Sequence, residues 1–415
     1  RFMNYRKLKG VAIFLVCLII IGLLSIIFLF LLTNQSNSYR YDFENVADNT
    51  NVNQEIGSQQ QNNVSNNSTD SNASGSLIDL NELDKTYIPD YDFYFELPIN
   101  GATGYASINS NIRASNSSES TIVKKINAGT GFKILEENGN WLKVDVNGTV
   151  GWISTLYCMV NLPDIIPSIV YDDTNSYSSL FKSSEIDIPN VTGKQLYNNK
   201  AYNERLEKNE YMMPVIYAMA KKIMKAQELA LEEGYSLKIY ETYRPYEAQV
   251  AVSTNLNKLM NENKTVYNGI NGGGWNEGWF IAQVLSNHQR GIAMDVSLVK
   301  VNNYKVKTCG NYKYMSITDY TEEQMPTQMH ELSNKAISMK YGVDSNSKTA
   351  WEDVPMASGM TDGAKRLRNY CVEAGLTPLC SEWWHFNDLD ARKEIGNNYS
   401  TGRYYITECC SAIPE

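Results

Sequence analysis

The apolar positions of this chain change character several times. Val11 to Leu32 reads VAIFLVCLIIIGLLSIIFLFLL and contains no charge. As a helix rising ~1.5 Å per residue it would reach about 33 Å, the depth of a bilayer's hydrocarbon core. Arg1, Arg6, Lys7 and Lys9 precede it, and Thr33-Asn34-Gln35 offers no small-residue cleavage site. The pattern therefore predicts an uncleaved membrane-spanning helix over 11–32, a cytoplasmic N-terminus over 1–10, and everything after Leu32 outside the cell. Residues from about Thr33 to Asp84, most of the segment 33–98, are poor in large apolar side chains, and Gln59 to Ser76 reads QQQNNVSNNSTDSNASGS. Such a stretch cannot bury enough surface to offset its ordering entropy, so a disordered extracellular linker is expected there.

Between 99 and 162 the period shortens to that of strands. IVKKI, FKILEE, WLKVDV and TVGWI are separated by Asn127-Ala128-Gly129, Asn138-Gly139 and Asn147-Gly148. Asn-Gly between alternating runs is a strong hairpin signal, so a small all-β barrel is expected. From 163 to 415 helical and strand periods interleave. Met213 to Glu233 has apolar residues at helical spacing, with Pro214 suited to a first turn and Gly234 to a stop. Ser236 to Tyr240 reads as a strand, Pro245 to about Asn261 as a second helix, and Ile292 to Val299 as a strand. A helix over Asp362 to Ala374, capped by Thr361 or Asp362, is followed by a strand over Ser381 to Phe386. This ordering predicts an α+β domain.

Composition narrows the possibilities. A chain of 415 residues suits two folded units plus linkers. The net charge of −9 leaves no broad basic face for phosphates, so no nucleic-acid partner is expected. Seven cysteines with no Cys-x-x-Cys pair argue against both a disulfide scaffold and a cysteine metal site. Cys371 and Cys380 could pair in an oxidising compartment, but spacing does not fix connectivity.

The chain has only three histidines, and two of them lie in SNHQRGIAMD (Ser286 to Asp295) and SEWWHF (Ser381 to Phe386). Asp295 falls inside the apolar pattern AMDVSLV, where a buried carboxylate is costly unless paired or bound to a metal. A loop-then-strand geometry lets His288 and Asp295 converge on one ion; a His–Asp hydrogen bond or a solvated turn accounts for the pair equally well. With His385 they form a two-imidazole, one-carboxylate set, and Glu382 is a carboxylate placed to take a proton from water. On a regular strand, however, residues 382 and 385 point to opposite faces, so the strand end must be irregular if they share a site. Arg244, in ETYRPYEAQ, stands where a strand turns into a helix and can reach into a cleft.

Two resemblances follow from these residues. Asn111-Ile112-Arg113, Gly129 and GNWLKVDVNGTVGWIS resemble the bacterial SH3-like domains of cell-wall enzymes. That implies a wall-binding module, with a structural spacer as the alternative. Ser286, His288, Gly291, Ala293 and Asp295, then Glu382, Trp384 and His385, then Tyr243-Arg244-Pro245 resemble the zinc D-alanyl-D-alanine peptidases. VTGKQLYNN (Val191 to Asn199) is similar to the segment opening the dipeptidase-like branch. The resemblance implies an antiparallel sheet with flanking helices and Zn2+ on His288, Asp295 and His385. It further implies Glu382 as general base, Arg244 polarising the scissile carbonyl and Ser286 holding substrate.

Glu-Trp-Trp-His looks like the dipeptidase branch. That branch, though, carries an acidic residue where this chain has Pro326-Thr327-Gln328-Met329-His330. The expectation is a membrane-anchored, extracellular D,D-carboxypeptidase acting on peptidoglycan stem peptides or precursors. The alternatives are a D-Ala-D-Ala dipeptidase, a peptidoglycan endopeptidase and a non-catalytic wall-binding protein.

Overall fold

This computed structural model describes residues 96–414. The expected cytoplasmic segment 1–10, spanning helix 11–32 and most of the linker 33–98 lie outside the described residues. Glu96 and Leu97 are buried, and Leu97 N donates to Ile165 O at 3.2 Å. Among the described residues no helix is long and apolar enough to cross a membrane. The helices Tyr217–Glu232 and Tyr246–Glu262 run 16 and 17 residues and carry polar faces, whereas a span needs about 20 predominantly apolar ones. The expectation of a single-pass membrane protein with an extracellular catalytic part is therefore corrected: no described element supports that placement.

Strands β1 (Thr103–Ala106), β2 (Ser110–Arg113), β3 (Ile122–Ile126), β4 (Gly131–Asn138), β5 (Trp141–Val146), β6 (Thr149–Ser154) and β7 (Cys158–Asn161) build the expected barrel-like sheet. The β5–β6 hairpin closes on Asn147-Gly148, at φ of 52° and 80°, the double positive φ that such a turn requires. The β4–β5 hairpin departs from expectation. Asn138 pairs with Trp141, so Gly139-Asn140 forms the turn and Asn138 ends the strand.

Downstream come β8 (Val170–Tyr171), the ribbon β9 (Lys182–Ser183) with β10 (Ile186–Asp187), and the ribbon β11 (Lys200–Asn203) with β12 (Lys208–Tyr211). Then β13 (Pro214–Ile216) pairs antiparallel with β7 and so joins the first sheet. Helix α1 starts only afterwards, at Tyr217, and runs to Glu232. The expected start near Met213 fails because Pro214 to Ile216 satisfy their backbone groups across β7 instead. Along α1, Met219, Ala220, Ile223, Ala226 and Ala230 form one buried stripe. Gln227, also buried, accepts from Leu237 N at 2.8 Å and donates to Ser168 O at 3.0 Å, pinning the helix to the next strand.

That strand, β14 (Tyr235–Glu241), lies in a second sheet ordered β17-β18-β15-β14-β8. Its members include β15 (Ala293–Cys309), β17 (Thr377–Leu379) and β18 (Glu382–Asn387). The β14–β8 pair is parallel, and β14–β15, β15–β18 and β17–β18 are antiparallel. Strand β15 is 17 residues long, far beyond the expected end at Val299, and its outer half forms a hairpin with β16 (Tyr312–Glu322). Helix α2 (Tyr246–Glu262) follows β14, α3 (Asp362–Glu373) precedes β17, and α4 (Leu389–Ile395) follows β18. One continuous apolar core runs from Phe132 and Leu142 of the first sheet, through Met159 and Ile216, to Ile239, Val296 and Trp384. Cys371 and Cys380 are buried free thiols.

The C-terminal segment lies across the first sheet. Tyr105 Oη donates to Glu408 O at 2.9 Å, Cys410 N to Thr103 Oγ1 at 3.0 Å, and Ala412 N to Gly101 O at 2.8 Å. Gly101 has φ of 82°, and a Cβ there would lie 2.4 Å from Ala412 O. Gly101→Ala is therefore expected to lower unfolding stability by about 1–3 kcal/mol. Gly139→Ala, at positive φ but with nothing within 4 Å, should cost less. Denaturant unfolding of both variants checks the difference.

Candidate metal centre

Strand register sets Glu241, Asp295 and His385 abreast. Asp295 pairs with Glu241 of β14 on one side and with His385 of β18 on the other. His288 arrives from the loop before β15. That loop turns at Gly291, where φ is 71° and a Cβ would meet Met159 Sδ at 2.8 Å. Gly291 O accepts from Ile216 N at 2.8 Å, so the histidine loop is held against β13 and the first sheet.

The three expected ligands converge. His288 Nε2 lies 3.2 Å from His385 Nδ1 and 3.4 Å from Asp295 Oδ1, and His385 Nδ1 lies 2.9 Å from Asp295 Oδ1. Tetrahedral zinc with bonds of about 2.0–2.1 Å sets its ligand atoms about 3.3 Å apart, so the triangle has the right edges. The outer ring atoms decide the tautomers. His288 Nδ1 faces Thr242 O at 2.7 Å and His385 Nε2 faces Asn387 Oδ1 at 3.1 Å. Both acceptors can take an N–H, and in that tautomer the Nε2 lone pair of His288 and the Nδ1 lone pair of His385 are free for a shared ion beside the carboxylate. Two imidazole nitrogens and a carboxylate oxygen, all buried, could together hold a cation between them. The donor set fits a zinc ion.

Glu382 stands beside this triangle and outside it, with Oε2 3.7 Å from His385 Nδ1. The strand-face objection is resolved by an irregular register. Pro378 pairs with Phe386, but the next residue, Leu379, pairs with Glu382, so residues 383–385 bulge out of the β17–β18 ladder. Burial pushes the Glu382 carboxyl up to about 8, with His385 pulling it down and Asp295 pushing it further up. Burial also opposes ionisation of Asp295, yet the surrounding histidines hold it well below the usual carboxylate range.

Arg244 is 4 % exposed and largely committed. Its Nε donates to Glu241 Oε2 at 2.8 Å, Nη1 to Gln249 Oε1 at 2.8 Å, and Nη2 to both Glu241 Oε2 and Asp295 Oδ2. One Nη1 hydrogen is left for a substrate. Glu241, Asp295 and His330 form a second group with the composition of a metal site. The Arg244 guanidinium already supplies the positive charge between those two carboxylates, so this group is a hydrogen-bond network. Ser286 borders the site: its Oγ donates to Gln289 Oε1 at 3.0 Å and accepts from His288 N at 3.2 Å.

Sequence reasoning left several residues aside. His330 is fully buried, and its Nε2 donates to Asp295 Oδ2 at 3.0 Å. It stacks on Phe181 with ring centroids 4.2 Å apart. Glu241 anchors Arg244, and accepts from Asn175 Nδ2 at 2.8 Å and Tyr197 Oη at 2.9 Å. Gln289 ties the serine to the arginine strand through its bond to Arg244 O at 2.9 Å. Asn387 orients His385. Glu241 and Gln289 carried a signal as polar residues within the motif segments, and Asn387 as one just beyond them.

A cleft of about 250 Å³ opens onto His288, Asp295, Glu382, His385, Ser286 and Arg244. A larger depression of about 540 Å³, beside Lys182, Glu331 and Lys335, contains none of the ligand residues. The three expected ligands line the smaller one.

Comparison with known proteins agrees with this geometry. Residues 108–157 match the family model for the bacterial SH3 domain. Residues 177–402 match the model described as D-ala-D-ala dipeptidase. A stretch of 61 residues is 34% identical to the putative N-acetylmuramoyl-L-alanine amidase YrvJ of Bacillus subtilis (strain 168). That match covers 15% of this chain and 11% of the relative.

Proposed function

The chain belongs to the D-ala-D-ala dipeptidase family of metallopeptidases, and from that membership we propose that it is a zinc D,D-carboxypeptidase removing the terminal D-alanine from peptidoglycan stem peptides or their precursors. The observation that carries this reading is the convergence of His288 Nε2 and His385 Nδ1 on Asp295 Oδ1, with Glu382 adjacent to the group. His288, Asp295 and His385 would hold the zinc. A bound zinc ion supplies the positive charge that acidifies a water molecule and polarises a carbonyl. Glu382 takes the proton from the attacking water on its carboxylate and delivers it to the departing amine. The free Nη1 hydrogen of Arg244 faces the oxygen that becomes negative. Ser286 holds substrate at the rim. We assign catalysis to residues 163–415 and wall binding to 99–162; the match to a bacterial SH3 domain supports the second assignment.

Carboxypeptidase is favoured over dipeptidase by the charges in the cleft. A dipeptidase needs an acid for the free ammonium of its substrate. The carboxylates lining this cleft are Asp295 and Glu382, both at the metal end. His330 replaces the family's acid and is buried against Asp295. Zinc-loaded protein given a free D-Ala-D-Ala dipeptide and a pentapeptide stem in parallel should cleave the stem faster. Preferential hydrolysis of the dipeptide would overturn the assignment.

His330 also bears on metal affinity. By fixing Asp295 Oδ2 it turns Oδ1 toward the two imidazoles. His330→Ala is expected to weaken zinc binding about 10- to 100-fold, measured by competition with a chromogenic chelator.

A further inference from the structure

Away from the metal ligands, the cleft carries two guanidinium groups that no carboxylate neutralises. Arg290, in the histidine loop, and Arg392, on α4, both line it. Arg290 is half-buried; its Nη1 makes one long hydrogen bond to Asn287 Oδ1, 3.4 Å, and its guanidinium lies over the Tyr399 ring at 4.3 Å. Arg392 Nη1 donates to Asn346 Oδ1, an amide held in place by Asp344. Among the described residues neither arginine has an ion-pair partner. Arg244 differs, because Glu241 and Asp295 neutralise it.

The arginine pair is also tied to the metal ligands. Asn287 Nδ2 donates at 2.8 Å to Asn387 Oδ1, the oxygen that orients His385. Two guanidinium groups without an ion-pair partner, lining the same cleft as the metal-ligand set, make a receptor for an anion. Their planar donor forks suit a carboxylate.

We propose that Arg290 and Arg392 form the subsite for the free C-terminal carboxylate of the peptide substrate. This rests on the carboxypeptidase reading of the cleft and deepens it. An exopeptidase substrate brings such a charge next to the scissile bond, whereas a chain that continues past that bond does not. The subsite therefore selects chain ends over cross-links.

The test uses the whole chain, zinc-loaded, with two N-acetylated stem peptides that end in D-Ala-D-Ala as the acid or as the amide. The acid should be cleaved at least about tenfold more efficiently, as expected for a charge-assisted hydrogen bond. Arg290→Gln and Arg392→Gln should each raise KM for the acid about 10- to 100-fold and erase the acid-over-amide preference. Arg290→Lys and Arg392→Lys, which keep the charge, should retain most of it. Equal loss on acid and amide, or an unchanged KM for the acid, would overturn the proposal.

A second readout does not depend on turnover: calorimetric binding of the same two peptides to the Glu382→Gln protein. If neither peptide is cleaved by the unmodified enzyme, the carboxypeptidase reading fails, and the subsite is judged on binding alone. Tighter binding of the acid, lost in the two glutamine variants, supports the subsite. Equal binding of acid and amide refutes it.

Discussion

Glu382→Gln is expected to slow release of D-alanine by about 10²- to 10⁴-fold, the range lost when a positioned general base is removed, while zinc stays bound. The separation of these two outcomes follows from geometry. Glu382 is not a corner of the His288–His385–Asp295 triangle; its Oε2 lies 3.7 Å from His385 Nδ1. The amide preserves the shape of the side chain, so Trp383 and Trp384 keep their buried positions. What is lost is a group able to take a proton and return it to the leaving amine. Metal analysis and D-alanine release on the same preparation check both halves. Near-normal turnover would remove Glu382 from the mechanism, and loss of zinc would make it a ligand.

Asp295→Ala should do more damage, and of a different kind. Asp295 Oδ1 faces both imidazoles, and Oδ2 accepts from Arg244 and His330. Its removal would take away one proposed metal ligand and strip a buried arginine of one of its two carboxylates. Breaking a buried ion pair by deleting one partner costs about 3–5 kcal/mol. The expected result is loss of zinc together with a fall in melting temperature of roughly 10 °C. Melting the protein after chelation separates the two effects. The metal-free wild type should still melt well above metal-free Asp295→Ala, because the arginine and histidine contacts do not depend on the ion. Equal melting temperatures would mean that Asp295 contributes through the metal alone.

These two side chains also mark what a linear reading of the chain can reach. Asp295 stood out because a carboxylate interrupts an apolar strand, an arrangement that demands a partner. His288 and His385 stood out because the chain has so few histidines and these two sit in polar and aromatic punctuation. Glu382 was visible as a residue but not as a neighbour of His385, since the three-residue jump in the β17–β18 register arises from pairing with a distant segment. Arg244 was visible as a polar residue at a strand end. That four of its five hydrogens are already engaged depends on Glu241, Gln249 and Asp295 meeting in three dimensions. His330 was visible as the third histidine but not by its role: it lies in a loop at φ of 62° and takes its meaning from an aspartate 35 positions earlier.

The fold divides in the same way. Local periodicity was enough for α2, α3 and the β5–β6 hairpin, and it set the β4–β5 turn one residue early. It misplaced the start of α1, because Pro214 to Ile216 have both a helical continuation and a strand partner in β7, and tertiary pairing won. The C-terminal segment across β1 had no periodic signature, since its contacts are mostly single backbone bonds to Gly101, Thr103 and Tyr105. The consequence is that the SH3-like sheet is built into the support of the His288 loop through Met159, Ile216 and Gly291.

The most direct test is the mass spectrum of a peptidoglycan pentapeptide stem ending in D-Ala-D-Ala after incubation with protein carrying one zinc per chain. The account expects a tetrapeptide and free D-alanine, and neither product from metal-stripped protein. An intact stem, a stem cut at an internal bond, or full activity without metal would contradict it.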